Sequence, residues 1–261
     1  MIKVIPRVFV DLSLSEVVSV LSRILNVKKA TGNDKLCEFE KTYARYIGTK
    51  AAVSFPSCRS AMYFSLRALG LNEGDEVILP AFTFWVDAAM VIMAGLKPVF
   101  VDVNFSTANI DTSKIEQAIT PRTKVIFPTH LNGMPADLDP IIELAKKYKL
   151  RVIEDCARSC GAEYKGRKIG SFDIGAFSFG YGKSFYSFGG GMVTSNDESF
   201  ISNLRELKKD FERISTKDLY IQTMKGIVLR YLNTPILYRF SLYPMVYKFQ
   251  VEGNERYAGG F

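Results

Sequence analysis

The chain has no run of about 20 apolar residues, so no membrane-spanning helix is expected. Its start, Met1-Ile2-Lys3-Val4-Ile5-Pro6-Arg7, lacks the apolar core and small-residue cleavage site of a signal peptide. There are only four cysteines, Cys37, Cys58, Cys156 and Cys160, and their spacing is not that of metal ligands. They read as reduced thiols of a cytoplasmic protein rather than as a disulfide framework or a zinc site. No internal repeat or low-complexity segment is present. The net charge of +7 and pI of about 9.1 invite a nucleic-acid reading. The positive residues are scattered, however, and form no basic stripe interleaved with aromatics through the first two-thirds. A solvated basic surface that attracts anionic small molecules is the simpler expectation.

What is present is an alternation of short apolar strands and helices of about ten residues. Strands are predicted at Ala51–Phe55, Glu76–Leu79, Pro98–Val101, Lys124–Phe127, Arg151–Glu154, Ile174–Ser178 and Met192–Thr194. Helices are predicted near Leu12–Leu25, Lys35–Ile47, Ser60–Leu69, Trp85–Ala94, Asp139–Tyr148 and Leu204–Glu212. This is the pattern of an α/β domain with a mainly parallel central sheet and helices on both faces. Residues 1–200 are expected to form that domain and 201–261 a helical C-terminal segment. The segment's aromatic and aliphatic residues, spaced by Arg and Lys, suit helices packed on a partner or on further chain. Peripheral contact with a membrane surface is the alternative.

Ligands of open parallel sheets bind beyond the carboxyl ends of the strands. Three features fall there. Asp155 ends the run Val152-Ile153-Glu154-Asp155. Lys183 lies in Gly180-Tyr181-Gly182-Lys183, just past the strand that ends at Ser178. The turn Ser57-Cys58-Arg59-Ser60 leads directly into a helix, whose free N–H groups suit a phosphate; a plain N-cap by Ser57 or Ser60 is the alternative. A carboxylate for a pyridinium nitrogen and a lysine for a Schiff base are the two protein groups that pyridoxal 5'-phosphate (PLP) chemistry requires.

From about Gly32 to Asp197 the chain also resembles the DegT/StrS-type nucleotide-sugar aminotransferases, a branch of the fold type I PLP enzymes. The resemblance is carried by Gly74-Asp75-Glu76-Val77-Ile78-Leu79-Pro80-Ala81-Phe82-Thr83-Phe84, by Pro98-Val99-Phe100-Val101-Asp102-Val103 and by Ile119-Thr120-Pro121-Arg122-Thr123-Lys124. Two later runs add to it: Pro128-Thr129-His130-Leu131-Asn132-Gly133-Met134-Pro135-Ala136-Asp137-Leu138-Asp139 and Tyr164-Lys165-Gly166-Arg167-Lys168-Ile169-Gly170. The resemblance implies a fold type I large domain and transfer of an amino group, from glutamate, to a keto-sugar carried on a nucleotide. It implies that Lys183 forms the internal aldimine, that Asp155 pairs with the pyridine nitrogen and that Phe84 stacks on the ring, with a core phenylalanine as the alternative. It further implies that Ser178 binds the phosphate together with backbone N–H groups at Cys58 and Arg59, and that a homodimer completes the site.

Several positions depart from the family pattern. Cys58-Arg59 stands where Gly-Thr or Ala-Thr is usual, and Arg158 stands where Gln or His lies near the cofactor's 3-hydroxyl. An arginine there favours the phenolate form. His130, the single histidine, reads as a satisfied structural residue before an acid–base one. The family pattern stops after Asp197, so its small domain is expected to be absent or reduced here. Other PLP reactions, such as dehydration or aldol-type cleavage, and a non-catalytic PLP-fold subunit remain alternatives to transamination.

Overall fold

The computed structural model describes residues 13–25, 33–209, 216–232, 234–240 and 244. In chain order the helices and strands are α1 (Leu14–Leu25), α2 (Asn33–Ile47), β1 (Ala51–Phe55), α3 (Cys58–Ala68), β2 (Glu76–Pro80), α4 (Val86–Met93), β3 (Lys97–Val101), α5 (Ile115–Ala118), β4 (Thr123–Ile126), α6 (Leu138–Tyr148), β5 (Arg151–Asp155), β6 (Glu163–Tyr164), β7 (Arg167–Lys168), β8 (Ile174–Ser178), β9 (Gly191–Ser195), α7 (Glu198–Lys209), α8 (Thr216–Leu232) and α9 (Pro235–Phe240). They fall into two contact-dense units. One holds the described residues of 33–179 and 190–212; the other holds those of 1–32, 180–189 and 213–261. The single boundary expected at residue 200 does not describe this partition. The short segment 180–189, which interrupts the sheet unit in sequence, groups with the terminal helices instead.

The larger unit is built on a seven-stranded sheet in the order β1-β9-β8-β5-β4-β2-β3. The β8, β5, β4, β2 and β3 strands run parallel, while β9 is antiparallel to both of its neighbours, β1 and β8. The mainly parallel α/β sheet expected from the sequence is therefore present. Strands β2, β8 and β9 are buried at every residue, as strands covered on both faces must be.

Period-two alternation sorts the sheet's side chains onto two cores. Val53, Phe55, Val77, Leu79, Phe127, Ile153, Ile174, Ala176 and Val193 pack under α3 and α4. Ala52, Ile78, Ile126, Val152, Phe177 and Met192 pack on the opposite face with residues of α2 and α6. Helix α3 buries Cys58, Ala61, Met62, Ser65 and Leu66, the i, i+3, i+4, i+7 stripe of a helix lying on a sheet. Full burial of one large aliphatic side chain contributes about 1.5–3 kcal/mol, so these two layers fix the register of every strand.

The smaller unit is described by itself. Val17 of α1 is buried, and Leu21, Tyr181, Tyr186, Phe188 and Ile227 pack against it. Gly226 makes that packing possible, because a Cβ there would stand 2.3 Å from the Tyr186 hydroxyl and 2.5 Å from the Phe188 ring. The C-terminal part expected to be helical is helical through α8 and α9; the rest of the aromatic stretch up to Phe249 lies outside the described residues, apart from residue 244. Among the described residues no helix is long and apolar enough to cross a membrane.

Candidate functional site

The parallel strands of the larger unit deliver two polar groups to the carboxyl end of the sheet. Asp155 is the last residue of β5 and pairs with Ala176 on β8, two residues before Ser178. By alternation Asp155 shares a face with Ile153, and Ser178 with Ile174 and Ala176, all of which pack under α3. Both polar side chains thus point to the face over which α3 begins, at the carboxyl end of the sheet. They are only 6% and 8% exposed. The backbone of Asp155 is held from both sides: its N–H donates to the Pro128 carbonyl at 2.9 Å and its carbonyl accepts from His130 N–H at 3.0 Å. Its Oδ1 accepts from Ala157 N–H at 2.8 Å, which sets the carboxylate's rotation.

The start of α3 is fixed by a reciprocal cap. Ser57 Oγ accepts from Ser60 N–H at 3.2 Å, and Ser60 Oγ accepts from Ser57 N–H at 3.1 Å. The turn is therefore a true N-cap, and its first-turn N–H groups point off the helix end with the positive end of the dipole. Ser178 reaches this helix end through one residue. It pairs with Gly191 on β9, and a Cβ on Gly191 would stand 2.6 Å from Cys58 N and from Ser57 C and O. Only glycine allows the strand and the helix end to meet. Cys58 itself is buried, whereas the Arg59 and Arg158 side chains are exposed.

Phe84 lies in the turn before α4 and is 50% exposed, with its ring tilted against Trp85 at 5.7 Å between centroids. A core role for Phe84 is thereby excluded. Lys183 belongs to the smaller unit, five residues after Ser178 in sequence; it is half-buried, and its N–H donates to the Gly180 carbonyl at 3.3 Å.

His130 is accounted for structurally. Its Nδ1 accepts from Ala136 N–H at 3.0 Å, so the ring proton sits on Nε2 and is donated to Glu154 Oε2 at 3.1 Å. Glu154 also accepts from Gly170 N–H and Phe172 N–H, at 2.8 and 3.0 Å. Cys156 lies close to both residues, but burial, with the Glu154 and Asp155 carboxylates nearby, pushes its thiol well above the usual range. The donor atoms of this cluster are already engaged in holding the loops around β5, which is not the arrangement of an open metal site.

Sequence reasoning missed a second polar node. Asp87, 1% exposed in the first turn of α4, accepts from Thr83 Oγ1 and, at 3.1 Å, from Thr129 Oγ1. The two hydroxyls are 2.8 Å apart. The i, i+4 spacing of Thr83 and Asp87 was visible in the sequence; the third member, Thr129 in the segment after β4, was not.

The donor set fits a phosphorylated pyridine. A helix end and a hydroxyl suit the phosphate, a buried carboxylate suits a protonated ring nitrogen, and an exposed aromatic suits a ring face.

The comparisons with known proteins agree. The profile of the DegT/DnrJ/EryC1/StrS aminotransferase family matches residues 14–233, and the chain belongs to that family. Its fold is that of the fold type I PLP aminotransferases, and the family is PLP-dependent. GDP-perosamine synthase of Caulobacter vibrioides is 43% identical over 174 residues, 66% of this chain and 47% of that protein. The crystal structure of DesV of S. venezuelae in complex with a ketimine intermediate matches with a TM-score of 0.70 and 32% identity, over 81% of this chain and 62% of that one. Ntda from Bacillus subtilis with bound cofactor PMP matches with a TM-score of 0.72 and 30% identity, over 89% of this chain and 57% of that one. The chain spans about half the length of the curated relatives it matches.

Proposed function

We propose that the chain carries the cofactor-binding part of a PLP-dependent aminotransferase that acts on a nucleotide-linked keto-sugar, with glutamate as amino donor. The observation that supports this most is the placement of Asp155 and Ser178 on adjacent strands, facing the layer that begins with the α3 N-terminus. When bound, PLP supplies an electron sink for the carbon that loses its proton. Asp155 holds a proton on the pyridine nitrogen, which its buried negative charge favours. Ser178 Oγ and the backbone N–H groups at Cys58 and Arg59 bind the phosphate. Phe84 covers one ring face. Arg158 sits by the 3-hydroxyl, and the Arg59 guanidinium adds positive charge near the phosphate. The Lys183 amine holds the cofactor covalently and moves the proton at the reacting carbon. A second copy of the chain completes the site.

The test is direct. Purified protein is loaded with PLP, reduced with borohydride and digested. A pyridoxyl adduct on Lys183, together with conversion to PMP on adding glutamate and its return on adding a nucleotide-linked keto-sugar, supports the reading. An adduct on Lys183 without any PMP points instead to another PLP reaction or to a binding subunit. Absence of both adduct and bound cofactor refutes the reading.

A further inference from the structure

One carboxylate outside the cofactor's own contacts links two of its proposed partners. Asp87 Oδ2 accepts from the Thr83 hydroxyl, and Thr83 immediately precedes Phe84 in the turn before α4. The same oxygen accepts from Thr129 Oγ1 at 3.1 Å. Thr129 forms an isolated parallel bridge with Asp155, and its neighbours Pro128 and His130 hold the Asp155 N–H and carbonyl. Thr129 lies two residues beyond Phe127, which packs under α3 and α4, so its side chain is on the same face as that of Asp155. Paired residues on adjacent strands lie about 5 Å apart. A single buried oxygen therefore fixes the turn that carries Phe84 and the backbone that carries Asp155 in one frame.

We infer that Asp87 is a positioning residue for the cofactor: through Thr83 and Thr129 it sets the ring-stacking Phe84 and the nitrogen-facing Asp155 at matched positions. The inference rests on the PLP reading above. Three side chains share short contacts, and the carboxylate is the group both hydroxyls converge on. A hydrogen bond to a charged group is stronger than one between neutral groups, and in a buried site its geometry is held more tightly. A ring gripped across its face and along its edge loses both contacts if the turn and the strand drift apart. A misplacement of about 1 Å is enough to matter in a catalytic site.

The experiment uses the whole chain and PLP as the probe. Thr83→Val and Thr129→Val keep the shape of each side chain and remove one donor each, and Asp87→Asn keeps one acceptor oxygen but removes the charge on which both hydroxyls converge. PLP dissociation constants are read by titration. The induced circular dichroism of bound PLP reports ring orientation, and the thermal midpoint of the cofactor-free protein reports structure alone. Each variant is expected to weaken PLP binding by about tenfold to a hundredfold and to reduce the induced ellipticity. The double valine variant should be little worse than either single valine variant, because the three side chains act as one unit. Wild-type affinity and ellipticity, with only a lowered thermal midpoint, overturn the inference and leave Asp87 a packing residue. A wild-type protein that binds no PLP refutes the parent reading instead. If Asp87→Asn fails to fold, the two valine variants decide the matter by the same readouts.

Discussion

Gly191 and Cys58 are in contact through backbone: the position of a Cβ on Gly191 lies 2.6 Å from the Cys58 nitrogen. The other two close atoms, Ser57 C and O, are also main chain and cannot rotate away. Gly191→Ala should therefore push the start of α3 off the sheet. We expect a loss of about 1–3 kcal/mol in urea unfolding, as for other overpacked sites. We also expect weaker phosphate-dependent binding, seen as a larger loss of affinity for PLP than for pyridoxal.

Much of this layout could be read from the sequence. The strands Ala51–Phe55 and Ile174–Ser178 lie where their apolar runs placed them, because a short buried strand carries its own boundaries. Other ends moved for identifiable reasons. Helix α3 begins at Cys58 rather than Ser60, since Ser57 is the cap and Ser60 closes the box. Helix α7 begins at Glu198, well before Leu204, because Asp197 accepts from Phe200 N–H and Ser199 Oγ and so starts the helix early. Strand direction was not legible: alternation is the same whichever way a strand runs, so the antiparallel β9 could not be foreseen. Nor could the convergence of Thr129 on Asp87, which depends on pairing between distant strands. Asp155 and Ser178 were legible as strand ends because parallel sheets present their ligands there.

Lys183→Ala should abolish covalent capture of the cofactor while leaving the cofactor-free protein folded. Lys183 is half-buried, and truncating a residue of that kind outside a tight core changes stability little. Peptide mass spectrometry after borohydride treatment checks the first point and thermal unfolding without PLP the second. An adduct at another lysine would move the proposed role elsewhere.

Glu154→Ala should be severely destabilising, by about 3–5 kcal/mol. It strands the buried His130 Nε2–H and the N–H groups of Gly170 and Phe172 together. Glu154→Gln, which keeps one acceptor oxygen, should recover part of that loss. Chemical unfolding of the two variants against wild type checks the order.

Acid should loosen the end of the sheet through Asp197. The Phe200 N–H and the Ser199 hydroxyl, with Arg151 nearby, hold its carboxyl below the usual aspartate range. A carboxyl depressed in the folded state adds stability above its unfolded value, and that stability disappears as pH falls through the folded value. The unfolding free energy of wild type is thus expected to fall on acidification below about pH 4. Asp197→Asn should be less stable at neutral pH and show a flatter acid limb. Identical limbs for the two proteins would assign the acid sensitivity to other carboxylates.

The antiparallel course of β9 has an engineering consequence. Because β8 and β9 are antiparallel neighbours, closed by Phe179 N–H donating to the Gly190 carbonyl at 3.0 Å, the chain between them leaves and re-enters the sheet at one edge. A connection of that kind needs no crossover helix and can change length without altering strand order. Residues 180–189, which carry Lys183, can therefore be exchanged for the matching segment of another member of the family while the sheet keeps its register, provided that Tyr181, Tyr186 and Phe188, which pack around Val17, are kept.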